Sequence, residues 1–171
     1  MVSPRVVFVV AQQGFRDEEL LQTREVLSRR GVLSVVASEA KPTAEGKFGA
    51  TVTVDVTLPE VATEDFDGII FIGGPGAQRY FEKRTALKRA RQFARAGKVV
   101  AAICTAPTIL ANAGLLLGKR ATAFPTAEAT LRDRGAEYTG LPVEADGKVI
   151  TAKDSTYARE FAEAIAWELG K

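Results

Sequence analysis

The sequence contains no histidine and only one cysteine. Without histidine, neither a Ser-His-Asp triad nor a Cys-His pair can form within the chain. A histidine-bearing zinc site is excluded as well, and a lone cysteine cannot supply a thiolate cluster. One cysteine also rules out an internal disulfide. Any acid or base must therefore be Asp, Glu, Lys, Tyr or the thiol itself. Nothing in this pattern calls for a metal or a cofactor.

Charge of one sign is lacking too. The chain has 23 Lys and Arg against 21 Asp and Glu, a formal net charge of +2. That gives no broad attraction to nucleic acid or to a membrane surface. No apolar run approaches the ~20 residues needed to cross a bilayer. The opening Met1-Val2-Ser3-Pro4-Arg5 lacks the layout of a signal peptide, because the apolar run behind it is short and no small-residue cleavage site follows. These absences point to a cytoplasmic protein.

What is present fits one domain over residues 1–171, with 46% apolar and 26% charged residues. Arg5–Val10 is a continuous apolar run of the kind found in a central parallel strand. Ala11–Arg16 reads as a loop hinged at Gly14. Asp17 opens a helix closed by Gly31. Val32–Ser38 is a second strand, residues 39–49 a loop or short hairpin, and Ala50–Val56 a period-two strand with one wet face. Asp67–Ile72 is a buried strand ending in Gly73-Gly74-Pro75-Gly76, and Tyr80–Ala96 is a basic helix.

Val99–Ile103 runs straight into Cys104, and Thr105–Ala113 reads as a helix. Lys119–Phe124 is a short strand, and Pro125–Arg134 a helix. Residues 143–150 form a hairpin turning at Asp146-Gly147, and Ser155–Leu169 is the last helix. This alternation predicts an α/β sandwich with a mainly parallel sheet and helices on both faces. Sites in such folds lie at the carboxyl ends of strands. The loop leading to Glu19, the Gly73-Gly74 loop and Cys104 all fall at such ends.

Cys104 sits at a strand-to-helix corner, the setting of a nucleophile elbow. Free cysteines are often inert core residues. This one, however, ends its strand and precedes a helix N-terminus, where the dipole lowers a thiol pKa. Asp17, Glu18 and Glu19 most simply complement the dipole of their own helix. Alternatively, a protonated Glu19 packed beside the sulfur would donate a hydrogen bond to a thiolate. Glycines after a buried strand leave backbone N–H groups accessible, and those groups would form an oxyanion hole with the ones following Cys104. The basic residues Arg29, Arg30, Lys88, Arg89, Arg91 and Arg95 read as solvated helix faces. Phe71, Phe81, Phe93 and Trp167 read as core.

Four stretches together resemble the ThiJ/PfpI family, which includes protein deglycases and PfpI-type intracellular proteases. They are RDEELL from Arg16, FIGGPGAQ over Phe71–Gln78, VAAICTAPTIL over Val100–Leu110, and VITAKDSTYAREFA over Val149–Ala162. The resemblance spans nearly the whole chain. It implies a flavodoxin-like three-layer sandwich and a homodimer. It makes Cys104 the elbow nucleophile and Glu19 its carboxyl partner, with Gly74 and the N–H groups of Cys104 and Thr105 lining the oxyanion site.

Two family positions depart from the pattern. PfpI-type members carry histidine directly after the cysteine, where this chain has Thr105. Deglycase-type members carry one in the segment Thr122-Ala123-Phe124-Pro125, where this chain has Phe124.

The resulting expectation is a cysteine-dependent stress-response protein acting on small reactive carbonyls, glyoxalase- or deglycase-like. The alternative is a non-enzymatic redox sensor oxidised at Cys104. Isonitrile hydration is suggested only by Cys104-Thr105. PfpI-type peptidase activity is disfavoured by the missing histidine.

Overall fold

The computed structural model describes residues 2–171. Strand β1, Arg5–Val9, is buried at every residue but the first, as its unbroken apolar sequence requires. Residues expected to be a loop then form a short strand, β2, Gln13–Phe15. Helix α1, Asp17–Arg29, turns Leu20, Val26 and Leu27 inward. Strand β3 is Leu33–Ser38.

Strands β4 (Thr43–Gly46) and β5 (Thr51–Thr53) pair antiparallel, and β2 joins β4 to complete a small three-stranded sheet. The single strand expected over Ala50–Val56 is therefore corrected. It stops at Thr53, and β6 (Val56–Thr57) begins a new pairing with β3. The chain changes sheets at Val54 and Asp55. Val54 N–H donates to Pro42 O at 2.8 Å, on the small-sheet side. Asp55 N–H donates to Val36 O at 2.9 Å, and the Asp55 carboxylate accepts Val36 N–H at 2.8 Å.

Strand β7 is Gly68–Phe71. A 3-10 turn over Pro75–Tyr80 delays helix α2 to Arg84–Arg95, four residues later than expected. Phe81 and Lys83 still donate three residues back, to Gln78 and Tyr80, so α-helical bonding starts only beyond them. Strand β8 (Val99–Ile103) leads through the cysteine corner to helix α3 (Pro107–Asn112).

Strand β9 (Arg120–Ala121), helix α4 (Glu128–Asp133) and strand β10 (Glu137–Tyr138) follow, with β9 and β10 paired. Strands β11 (Val143–Asp146) and β12 (Val149–Ala152) make the expected hairpin, two residues longer than read. Helix α5 (Ala158–Glu168) ends the fold.

The main sheet has seven strands in the order β11-β12-β8-β7-β1-β3-β6, all parallel except the β11–β12 pair. Helices α1 and α5 pack together on one side, and α2 and α3 on the other. Phe71 and Phe93 lie in the core as read. Trp167 does not: it is 79% exposed. Helix α5 buries Phe161, Ala162, Ile165 and Ala166, and one further residue turns the next side chain about 100° away from that face.

The strand order decides where the site forms. Strand β7 lies between β1 and β8, with Val9 opposite Phe71 and Phe71 opposite Ala102. The loops leaving these three strands are therefore neighbours at one end of the sheet. They carry the run into Glu19, the Gly73-Gly74 pair and Cys104.

Candidate active site

Cys104 sits at a strained corner. Among the described residues it is the only non-glycine with positive φ, at +65°. That conformation costs an L-residue roughly 1–2 kcal/mol, and it persists because both of its backbone groups are pinned. Cys104 N–H donates to Ala152 O at 2.9 Å, and Cys104 O accepts Phe124 N–H at 2.8 Å. The corner thus hangs between β12 and the loop after β9. Burying five consecutive strand residues leaves the sulfur partly accessible at the end.

Glu19 reaches the sulfur from α1. It is fully buried, and its Oε1 accepts Gly73 N–H at 2.9 Å. The Cys104 thiol is its side-chain hydrogen-bonding neighbour, yet Oε2 has no partner of good geometry. One carboxyl oxygen is therefore free to hold or move a proton beside the sulfur.

Burial raises the Glu19 pKa to about 8, against the opposing effects of the Gly73 N–H, the thiol and Arg16. At neutral pH the carboxyl is mostly protonated. The thiol is not lowered as its place before a helix suggested. Burial first, and then the Glu19 charge and hydrogen bond, push it up to about 12. The Thr105 and Gly74 N–H groups act in the opposite direction, facing the sulfur. The Glu19 charge is absent whenever its carboxyl is protonated, so the thiolate is better tolerated beside the acid form.

The three adjacent acids do not share the dipole role that is their simplest reading. Glu19 points inward to the sulfur. Asp17 is buried and accepts N–H groups from Phe48 at 2.9 Å and Ala50 at 2.8 Å, holding the β4–β5 turn. Only Glu18 stays near the surface, paired with Arg16 Nε at 2.8 Å.

Two glycines make the convergence possible. A Cβ on Gly73 would lie 2.8 Å from Cys104 Cβ, from Glu19 Oε1 and from Ile103 O. Gly74 has φ +104°, and its Cβ would meet Arg16 N at 2.5 Å. Arg16 N–H also donates to Gly73 O at 2.9 Å, tying the first loop to the second.

A cavity of about 410 Å³ opens above the sulfur. Cys104, Thr105, Gly74, Phe124, Arg16 and Lys47 are in its wall. Of the four residues named from the sequence, Cys104, Gly74 and Thr105 line this cavity, and Glu19 lies buried beside the sulfur, outside the wall. Phe124, noted as a position where relatives carry histidine, is at the cavity as well. Sequence reasoning missed Gly73 as a packing requirement, and it missed Arg16 and Lys47 as wall residues. Arg16 precedes Glu19 by one helical turn, a signal that was there to use. Lys47 carried none, because β4 and its turn reach the site only through the small sheet. Among the described residues, no group of His, Cys, Asp and Glu is placed to hold a metal ion. Among the described residues, no helix is long and apolar enough to cross a membrane either.

The DJ-1/PfpI family profile matches residues 4–168. The chain belongs to the DJ-1/PfpI family. Its similarity to a ThiJ/PfpI domain protein of Brachyspira murdochii has a TM-score of 0.97 at 28% identity, covering 99% of this chain and 98% of the other. It is 33% identical to a deglycase of Pyrococcus horikoshii, over 94% of this chain and 99% of the relative. It is 31% identical to a glutathione-independent glyoxalase of Caenorhabditis elegans, over 86% of this chain and 78% of the relative. The flavodoxin-like fold expected from the sequence is the family's fold.

Proposed function

We propose that this DJ-1/PfpI member is a cysteine-dependent enzyme acting on small 2-oxoaldehydes, with Glu19 as its only proton carrier. The observation that carries this reading is the buried Glu19 carboxyl. One of its oxygens is held by Gly73 and the other is free beside Cys104, which itself lines the cavity. The names of the deglycase and glyoxalase relatives support the substrate class.

The chemistry follows from the groups present. Sγ of Cys104 attacks the aldehyde carbon as the Glu19 carboxylate takes the thiol proton, giving a hemithioacetal. The Gly74 and Thr105 N–H groups hold the developing oxyanion. Glu19 returns the thiol proton to the oxyanion. As a carboxylate again, it moves a proton from the former aldehyde carbon to the neighbouring carbonyl carbon while the hydroxyl proton passes to the neighbouring oxygen, leaving a thioester of a 2-hydroxy acid. Water hydrolyses the thioester and frees the thiol. The sum is one 2-oxoaldehyde plus one water giving one 2-hydroxy acid, with no external oxidant. General acid–base transfer by a positioned group contributes about 10²–10⁴-fold, so one carboxyl suffices for measurable turnover without histidine.

The assay is lactate formation from methylglyoxal by wild type and by Cys104→Ala. Wild-type turnover lost in the variant is expected. No lactate from wild type, or equal lactate from both, overturns the reading. A single-domain cytoplasmic homodimer remains part of this proposal, testable by light scattering of the purified chain.

A further inference from the structure

The wall of the Cys104 cavity is electrostatically one-sided. Its only charged residues are Arg16 and Lys47, and no Asp or Glu lines it. Both cations gather on one exposed ring: Arg16 Cζ lies 5.0 Å and Lys47 Nζ 5.3 Å from the centroid of Phe48. Phe48 is 62% exposed, so cation–π contact holds each charge in place only weakly and in full contact with water. Glu18 pairs with Arg16 through Nε at 2.8 Å. Among the described residues, the Lys47 ammonium has no ion pair.

While Glu19 is protonated, two cations less the Glu18 carboxylate leave a net charge of +1 at the mouth. The Arg16 fork also has donors that Glu18 does not use.

This arrangement is built into the fold. Lys47 N–H donates to Phe15 O at 2.8 Å, and the turn after it is held by buried Asp17 through Phe48 and Ala50. A Cβ on Gly46 would collide with the Asp17 carboxylate, so the turn closes tightly over α1. Arg16 is fixed from the other side by its N–H bond to Gly73 O. The two cations therefore arrive at the cavity from different elements, and each is anchored through its own backbone.

We propose that Arg16 and Lys47 select carbonyl substrates carrying an anionic group, carboxylate or phosphate, and orient the reactive carbon toward Cys104. This rests on the cysteine-dependent reading above and names the substrate class within it. The anion sits at the mouth, against the guanidinium and ammonium, while the aldehyde enters the floor.

A test independent of turnover uses two near-isosteric alkylating agents, anionic iodoacetate and neutral iodoacetamide. In both reactions the Cys104 sulfur displaces iodide and forms one S–CH2 bond, read by intact mass. The iodoacetate-to-iodoacetamide rate ratio for Cys104 is divided by the same ratio for N-acetylcysteine, which removes intrinsic reactivity. The expected corrected ratio is roughly fivefold in favour of the anion at low salt, shrinking toward one in 0.5 M sodium chloride. It should also fall toward one in Arg16→Gln and, separately, in Lys47→Gln, whose side chain is exposed.

A corrected ratio of one in wild type overturns the anion inference alone. Failure of Cys104 to react with either agent overturns the cysteine reading beneath it. Turnover supplies a second arm separating the two anions. The carboxylate-bearing 2-oxoaldehyde 4,5-dioxovalerate and a phosphate-bearing 2-oxoaldehyde are each compared with 4,5-dioxovaleramide. At least one anion is expected to exceed the neutral amide in kcat/KM by a similar factor, and a neutral amide equal to or better than both contradicts the proposal.

Discussion

The Gly73 N–H donates to Glu19 Oε1 at 2.9 Å, and the side chain that Gly73 lacks leaves room for that same carboxyl oxygen. One residue thus both holds the proton carrier and makes space for it. A Cβ here would press on Glu19, on Cys104 and on the Ile103 carbonyl at once. Overpacking of this kind costs about 1–3 kcal/mol. Gly73→Ala is expected to lower the urea midpoint accordingly and to reduce kcat/KM by tenfold or more. A variant of wild-type activity and stability would show that the three groups can separate freely.

Cys104→Gly separates strain from chemistry. Glycine accepts φ +65° without the Cβ penalty. Loss of the sulfur abolishes 2-oxoaldehyde turnover, while release of strain offsets the lost packing, so Cys104→Gly should be more stable than Cys104→Ala by about 1 kcal/mol. Thermal unfolding of the two variants decides it. A less stable glycine variant would mean that the corner carries no strain.

Glu19 makes stability depend on pH with a definite sign. Its carboxyl titrates near 8 in the fold, raised by burial from an ordinary value of 4.5. Between those pH values the folded chain keeps a proton that the unfolded chain has lost. The stabilising contribution is full below 4.5, falls as pH rises toward 8, and is gone above it, a drop on the order of 3–5 kcal/mol. Urea unfolding at pH 5 and pH 8.5 should show this decline in wild type and much less of it in Glu19→Gln. Identical slopes in both proteins count against a proton held at Glu19.

The same carboxyl sets the activity profile. In the proposed attack, Glu19 must be ionised to accept the thiol proton. The kcat/KM for methylglyoxal should therefore rise with pH and level near an apparent pKa of about 8, a value belonging to the Glu19–Cys104 pair. Glu19→Gln should lose this inflection along with at least 10²-fold in rate. A wild-type profile flat from pH 6 to 9 rejects Glu19 as the base.

Asp17 is expected to matter for stability more than its place in the first turn of a helix suggests. Asp17→Ala leaves the Phe48 and Ala50 N–H groups without their acceptor. An unsatisfied buried donor costs about 1–3 kcal/mol, so a Tm drop of several degrees should follow. A loss of only a few tenths of a kcal/mol would mean that water replaces the carboxylate in the turn.

Much of the framework was legible in the residues. Unbroken apolar runs such as Arg5–Val10 and Val99–Ile103 can be satisfied only in a sheet covered on both faces. The Asp146-Gly147 turn declares its hairpin through the αL conformation it needs, and Gly147 adopts φ +63°. Less legible were the elements whose pairing partners are distant. Strand β2 has three residues and no apolar run, and it is a strand only because β4 lies beside it. Residues 50–56 alternate as one strand should, yet Asp55 breaks the run by bonding to Val36 on another sheet. Trp167 looked like core because it is large and apolar, but helical phase outweighs hydrophobicity and leaves it in solvent.

By itself, the sequence determined the chemistry available: one thiol, no histidine, and a carboxylate-rich turn preceding a strand–glycine–strand–cysteine order. Local propensity and composition decide those things, and they need no partner. Only the tertiary structure decided that Asp17 turns inward to hold the β4–β5 turn while Glu18 stays near the surface, that burial raises the thiol pKa instead of lowering it, and that Lys47 joins Arg16 at the cavity mouth. Each of these depends on strand order bringing β1, β7 and β8 side by side and on a small sheet folding the β4–β5 turn over α1. Such contacts link residues far apart in the chain, and their energies come from burial and proximity, which no local pattern encodes.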